Sequence, residues 1–203
     1  MTKLLIAYDG SPCSDAAIDN LRQAALPEQL EAKVISVADV WLPSDDESAQ
    51  SSQATPPAVA TMRAQARFAL ESASKLAAAA CDRIQQLHPR WKLTPLAVAD
   101  SPAWAIIRQA ETWSADLVVV GSHGRSILER LFLGSVAERV VAEAKCTVRI
   151  CRPRQPSHLP RLLVAVDGSA GSEVAVREVA ARHWPAGTVA RVMAVVDPRL
   201  QSA

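Results

Sequence analysis

Aromatic side chains are scarce in this sequence: Phe, Trp and Tyr together make up 4% of its 203 residues. Apolar residues nevertheless make up 49%, so a hydrophobic core must be built mainly from Val, Ile, Leu and Ala. This composition is typical of a buried parallel sheet covered by alanine-rich helices.

An excess of charge is also absent. The formal net charge is +1, and basic and acidic residues are interspersed, which excludes a protein that binds nucleic acid through a strongly basic surface. No stretch approaches the ~18 apolar residues of a membrane-spanning helix, and the apolar run at 4–8 ends too soon for a signal peptide. We therefore expect a soluble cytoplasmic protein with no nucleic-acid partner and no membrane partner.

Cysteine pairs of the kind that bind zinc are missing as well. The four cysteines, Cys13, Cys81, Cys146 and Cys151, form no Cys-x2-Cys pair, and their spacing matches no zinc module. We expect them to be small buried side chains in a reduced compartment. The sequence predicts no metal site.

What the sequence does contain is a regular alternation of short apolar runs and helical patterns. The apolar runs predict strands at 4–8, 33–40, 92–98, 116–120 and 146–151. The segments between them predict helices, the longest over 62–87 and the last over 135–144. Ser14 is expected to cap the first helix, and Ser101 the helix that begins at Pro102. This alternation predicts an α/β fold with a doubly wound parallel sheet of five strands and right-handed crossovers.

The C-terminal part of the chain repeats the N-terminal part. A shift of 158 residues superposes 162–169 on 4–11 without a gap, and the correspondence continues to Asp197, which matches Asp39. Such self-similarity indicates a duplicated structural unit. We expect a complete first domain over 1–153, a linker over 154–159, and a truncated second copy of one β-α-β unit over 160–203. So short a unit buries little apolar surface by itself, so it must dock elsewhere or stay loosely ordered.

One glycine-punctuated stretch is expected to carry the chemistry. Gly121 and Gly124 follow the end of a buried strand, where glycine permits a sharp turn and close approach of backbone amides to a ligand. Amides in such a turn form an anion-binding nest. Gly134 and Ser135 lie where the next helix begins, and there the free amides and the helix dipole favour a phosphate.

The complete pattern resembles a known family. Gly121-x2-Gly124-x9-Gly134-Ser135 is similar to the nucleotide-binding motif of ATP-binding universal stress proteins, and the resemblance extends over residues 3–152. It implies a Rossmann-like sheet with strand order 3-2-1-4-5, in which strands 1 and 4 are neighbours. Their ends form the topological switch point, where open α/β sheets bind ligands. It also implies that the cofactor is ATP or a related adenine nucleotide, with or without Mg²⁺.

The same resemblance implies roles for individual residues. Asp9 and Gly10 would flank the adenosine, and the backbone of Val37 or Ala38 would meet the adenine edge. The ribose and phosphates would be lined by Gly121, His123, Gly124 and Arg125. The phosphates would be held by Gly134, Ser135 and Val136. Family members commonly form homodimers through the last strand, here 147–150. The chain departs from the family at Ser36, where the second strand often carries a histidine; we do not expect this to abolish binding.

Three functions remain open from these residues. The first is a nucleotide-binding stress-response module whose conformation and dimerisation depend on the nucleotide. The second is a slow ATPase or nucleotidyl-transfer enzyme, for which the sequence offers no convincing general base. The third is a dimeric scaffold that needs no nucleotide. A P-loop and a Rossmann dinucleotide motif are both absent, and no catalytic residue is predicted.

Overall fold

The computed structural model describes residues 1–40, 57–124, 133–153 and 159–195. The chain divides into two compact units. The first contains Met1–Asn20 and Pro27–Arg154, and the second contains Leu21–Leu26 and Gln155–Ala203. The candidate site lies wholly in the first unit.

Strands and helices alternate along the first unit. In chain order the elements are β1 (Lys3–Ala7), α1 (Pro12–Asn20), β2 (Glu31–Ala38), α2 (Pro57–Leu87), β3 (Lys92–Ala99), α3 (Pro102–Trp113), β4 (Leu117–Gly121), α4 (Ser135–Glu143) and β5 (Thr147–Cys151). A short 3₁₀ turn, Leu21–Gln23, follows α1. All five predicted strands are present, with no end displaced by more than two residues.

The five strands form one parallel sheet in the order β3-β2-β1-β4-β5. This is the predicted order, and the α/β fold with a doubly wound, Rossmann-like sheet is confirmed. β1 lies between β2 and β4, with Leu5 opposite Lys33 on one side and Val118 on the other. The carboxyl ends of β1 and β4 are therefore adjacent, with helices connecting to opposite faces of the sheet.

The central strands are continuous apolar runs because both of their faces are covered. Leu4, Leu5 and Ile6 of β1 are completely buried, as are Val118 and Val119 of β4. Small alanines on the covering helices let the helix backbones approach the sheet closely. The apolar strands and the alanines on the covering helices together explain how a chain with so few aromatic residues forms a core.

The first helix begins earlier than predicted. α1 starts at Pro12, and the Ser11 hydroxyl accepts a hydrogen bond from the Ser14 amide at 3.2 Å. The prediction that Ser14 caps the helix was wrong, because Pro12 is accommodated in the first turn and moves the cap to Ser11. Ser101 does occupy the cap position of α3, but its side chain makes no capping hydrogen bond.

The second unit contains β6 (Arg161–Val166), α5 (Ala170–Ala180) and β7 (Val189–Ala194). β6 and β7 pair in parallel as a two-stranded sheet. α5 is capped by Ser169, whose hydroxyl accepts from the Ser172 amide at 3.2 Å. No residue of α5 is buried, so this unit has the local geometry of a β-α-β motif without a closed core.

Candidate functional site

A cavity of about 400 Å³ lies at the carboxyl ends of β1 and β4. Its lining comes from β1 and the turn after it, from α1, β2 and β4, from the loop that follows β4, and from the starts of α3 and α4. This is the switch point of the sheet, where the connections from neighbouring strands diverge to opposite faces and leave a crevice.

Gly121 allows α1 to pack directly on the end of β4. A Cβ at Gly121 would lie 2.9 Å from the backbone carbonyl carbon of Cys13 and 2.9 Å from the Ser14 amide nitrogen. Both neighbours are backbone atoms of the first turn of α1 and cannot move aside cheaply. Helix packing thus gives this glycine a structural role at the wall of the cavity.

Gly124 faces the carboxylate of Asp9. A Cβ at Gly124 would lie 3.0 Å from Asp9 Oδ2, while the other carboxylate oxygen, Oδ1, accepts from the Ser11 amide at 3.0 Å. The turn after β1 therefore holds the Asp9 carboxylate against the glycine loop. A larger side chain at Gly124 would project into the cavity beside this carboxylate.

The loop after β4 is tied to the start of α4. The Gly134 amide donates to the Ser122 carbonyl at 2.8 Å, and a Cβ at Gly134 would lie 3.3 Å from that same oxygen and from His123 Cα. Ser122 Oγ is 3.1 Å from His123 Nδ1. His123 Nε2 is buried and has no hydrogen-bond partner among the described residues.

α4 begins at the cavity without a side-chain cap. Gly134 is its cap residue, in an extended conformation, and makes no side-chain capping bond. The amides of Ser135 and Val136, both of which line the cavity, belong to the first helical turn, where amides have no intrahelical partner. They and the helix dipole favour an anionic group at this end.

The opposite part of the lining is apolar. Ile35 and Val37 of β2, together with Pro102 and Ile106 of α3, contribute side chains to it. Sequence reasoning missed Pro102 and Ile106, because their place in an ordinary amphipathic helix carries no signal that distinguishes a cavity wall from the core. The cavity thus combines an apolar wall with a separate group of backbone and side-chain donors.

Tyr8 links the cavity to the helices on one face of the sheet. Its hydroxyl donates to Asp15 Oδ1 at 2.9 Å, and Arg83 of α2 binds Asp15 and Asp19 at 2.6 Å each. Partial burial and the hydrogen bond to Asp15 raise the pKa of Tyr8 above its usual value of 10.0, so the phenol is neutral at physiological pH. The ion pairs are partly exposed, so we expect them to orient α2 more than to stabilise the fold.

The structure places most of the predicted binding residues around this one cavity. The residues that line it are Asp9, Val37, Gly121, His123, Gly124, Gly134, Ser135 and Val136. Gly10 and Ala38 do not line it: Gly10 has a φ of 76° in the turn, and the Ala38 carbonyl already accepts from Val40 and Asp100. Arg125 lies outside the described residues.

The described residues contain neither a cluster suited to a metal ion nor a helix suited to crossing a membrane. In 1–40, 57–124, 133–153 and 159–195, no group of three or more His, Cys, Asp or Glu side chains could hold a metal ion. No helix in these same ranges combines the length and apolar character needed to cross a membrane.

Universal stress proteins are among the known proteins with related sequences. A universal stress protein from Mycolicibacterium smegmatis is 32% identical over 152 residues, which is 74% of this chain and 46% of that protein. One from Mycobacterium tuberculosis is 31% identical over 153 residues, 73% of this chain and 45% of that protein. The chain spans about half the length of these curated relatives.

Solved structures share the fold at low sequence identity. A universal stress protein from Archaeoglobus fulgidus has a TM-score of 0.60 at 18% identity, covering 97% of this chain and 68% of that one. UspA from Lactobacillus plantarum has a TM-score of 0.53 at 22% identity, covering 74% and 97%. The Universal stress protein family model matches residues 1–152, and the chain belongs to the universal stress protein family.

Proposed function

We propose that this chain binds an adenine nucleotide, with ATP as the first candidate, in the cavity between the ends of β1 and β4. The observation that carries the proposal is the convergence of residues distant in sequence. Asp9, the Gly121–Gly124 turn and the Gly134–Val136 segment all line one cavity of about 400 Å³. Small-molecule sites are typically concave, largely apolar and provided with a few convergent polar groups.

The two parts of the lining fit the two parts of a nucleotide. The apolar wall formed by Ile35, Val37 and Ile106 is suited to the flat face of a purine. The first-turn amides of α4 and the amides of the glycine loop would donate to phosphate oxygens. Asp9, which lines the cavity, would accept hydrogen bonds from ribose hydroxyls.

The proposed role is a stress-response module that changes with nucleotide occupancy. A bound phosphate would bridge the loop after β4 and the start of α4, which already meet through the Gly134–Ser122 hydrogen bond. Homodimerisation through β5, which lies at the edge of the sheet, is part of the proposal. Mg²⁺ would be held mainly by the phosphates, since Asp9 is the one carboxylate in the described lining.

The proposal is tested by calorimetric titration with ATP, with and without Mg²⁺, after co-purified nucleotide has been removed. Gly124→Val should weaken binding by more than about tenfold, because the side chain would fill the space beside Asp9. Gly171→Val is the matched control: it adds the same side chain in the second unit, where the nearest atom to a Cβ is Ser169 Oγ at 3.7 Å.

Each result of the titration selects among the functions. Binding that is lost in Gly124→Val and kept in Gly171→Val supports the site. No binding by the unsubstituted chain would leave the nucleotide-independent scaffold. If ATP binds, multiple-turnover hydrolysis with Mg²⁺ would favour the slow enzyme, which we do not expect, because the sequence offers no convincing general base.

A further inference from the structure

Ser36 is a buried serine of β2 that lies where the pairing of β1 with β2 ends. Its side chain is 1% exposed, and its hydroxyl donates to the Tyr8 carbonyl at 2.7 Å. Tyr8 is the first residue beyond β1, and it lines the cavity. The hydroxyl therefore occupies a backbone acceptor that strand pairing would otherwise use next.

The backbone ladder between the two strands stops at this hydroxyl. The register ends with Ala7 opposite Ile35, and the Tyr8 amide still donates to the Ile35 carbonyl at 2.9 Å. The next bond of a regular parallel ladder would join the Val37 amide to the Tyr8 carbonyl. Among the described residues this bond is absent, and the Ser36 hydroxyl binds the carbonyl instead.

The Val37 amide consequently points towards the cavity. Backbone groups alternate in direction along a strand, so the amide of Val37 faces the same way as the carbonyl of Ile35, which is towards β1. At the level of Val37, β1 has already ended, and the space beyond its end is the cavity that Val37 lines. An N–H group placed in this way can donate to an acceptor atom of a ligand.

The repeat contains the same pair of strands without the serine. Ala194 lies 158 residues after Ser36 and occupies the equivalent position. There the pairing of β6 with β7 extends one residue further, to Val166 opposite Ala194. Gly168 nevertheless has a φ of 79°, against 76° for Gly10. The serine is therefore not needed for the turn, whereas the earlier end of strand pairing accompanies it.

We propose that Ser36 is a positioning residue that sets the specificity of the cavity for adenine. By occupying the Tyr8 carbonyl, its hydroxyl keeps the Val37 amide from pairing with β1 and directs it to a ring nitrogen of the base. This inference rests on the proposed nucleotide function. With the ribose at Asp9, the base extends towards β2, and its edge farthest from the ribose carries N1, which accepts the hydrogen bond.

Amide hydrogen exchange of the nucleotide-free full chain, measured by NMR, tests the backbone part of the proposal. Ser36→Ala releases the Tyr8 carbonyl, so the Val37 amide should pair with it and exchange at least about tenfold more slowly. Ser36→Thr keeps the hydroxyl and should leave this exchange unchanged. Ser72→Ala is the matched control, because it removes a hydroxyl that donates to the Phe68 carbonyl at 2.8 Å on α2. Unchanged exchange of Val37 in Ser36→Ala would overturn the proposal, whether or not ATP binds.

Calorimetric titration with ATP and with 1-deaza-ATP, in which a C–H group replaces N1, tests the ligand part. The unsubstituted chain should bind ATP about tenfold more tightly than 1-deaza-ATP, because the analogue leaves the Val37 amide without its acceptor. In Ser36→Ala this ratio should fall to near one, and in Ser36→Thr and Ser72→Ala it should stay at about tenfold. A general loss of stability would weaken both ligands equally and leave the ratio unchanged.

The two measurements distinguish failure of this inference from failure of the proposed function. Absence of ATP binding by the unsubstituted chain would overturn the nucleotide function and, with it, the specificity role of Ser36. ATP binding with a preference over 1-deaza-ATP that persists in Ser36→Ala would overturn the role of Ser36 and leave the nucleotide site standing. Slower exchange of Val37 together with a lost preference, both in Ser36→Ala alone, is the result that supports the proposal.

Discussion

The start of the chain and its repeat 158 residues later form the same turn in different surroundings. After β1, the Ser11 amide donates to Asp9 Oδ1 at 3.0 Å, and Gly10 has a φ of 76°. After β6, the Ser169 amide donates to Asp167 Oδ1 at 2.9 Å, and Gly168 has a φ of 79°. Turn geometry therefore follows from the local sequence Asp-Gly-Ser, since it persists whatever lies around it.

Burial differs sharply between the same two regions. Val34 of β2 is completely buried, and its counterpart Val192 of β7 is 68% exposed. Ile35 is 1% exposed, and its counterpart Met193 is 42% exposed. The apolar pattern is the same in both copies, so burial depends on the helices and strands that arrive from later in the sequence, which among the described residues only the first unit has.

The strongest test of this contrast is truncation of one leucine in each copy. Leu5→Ala removes a completely buried side chain and should lower the free energy of unfolding by about 2–5 kcal/mol. Leu163→Ala removes a side chain that is 62% exposed and should change it by less than about 1 kcal/mol. Urea denaturation measures both, and comparable losses would contradict the description of the second unit as a motif without a closed core.

A smaller difference is expected at the paired glycines. Alanine at Gly10 or Gly168 meets the same left-handed backbone, which costs roughly 1–2 kcal/mol. Gly10→Ala also brings its Cβ to 3.2 Å from Leu76 Cδ2, whereas Gly168→Ala meets nothing within 4 Å. Thermal unfolding should show a greater loss for Gly10→Ala, and a greater loss for Gly168→Ala would show that packing of α2 on the turn is unimportant.

The smallest predicted effect concerns the acid of the second turn. The hydroxyl and amide of Ser169 lower the pKa of Asp167 to about 2. A lowered pKa stabilises the turn above the ordinary value near 3.8, and this contribution is lost as the pH falls towards 2. NMR titration should give a midpoint near 2 that rises in Ser169→Ala; an unchanged midpoint would remove the hydroxyl as the main cause.

A larger part of the sheet than of the site could be predicted from the sequence. Apolar runs such as Leu4–Ile6 carry their own signal, because a strand buried on both faces must be apolar throughout. The strand order came from the family resemblance, not from the pattern. The cap at Ser11 was missed, since Ser14 fits the same local rule and only the position of Pro12 in the first turn decides between them.

Sequence reasoning identified the site residues at which the backbone requires glycine, and it missed those that contribute ordinary apolar side chains. Gly124 and Gly134 could be recognised because they stand between a buried strand and the start of the next helix, at the spacing of the family motif. Pro102 and Ile106 approach the cavity only through packing of α3 on the sheet, which no local spacing encodes. Gly121 was identified because glycine lets backbone amides approach a ligand. The structure adds a second reason, which is the close packing of this position against the backbone of Cys13.

The central claim is that a nucleotide needs both the turn after β1 and the glycine loop with the start of α4. Both copies have the turn, but among the described residues only the first unit has the loop and α4. The most direct test is the stoichiometry of ATP binding by equilibrium dialysis on the nucleotide-free chain. One ATP per chain, lost in Gly124→Val, is the predicted result; two per chain, or one that survives Gly124→Val, would contradict the account.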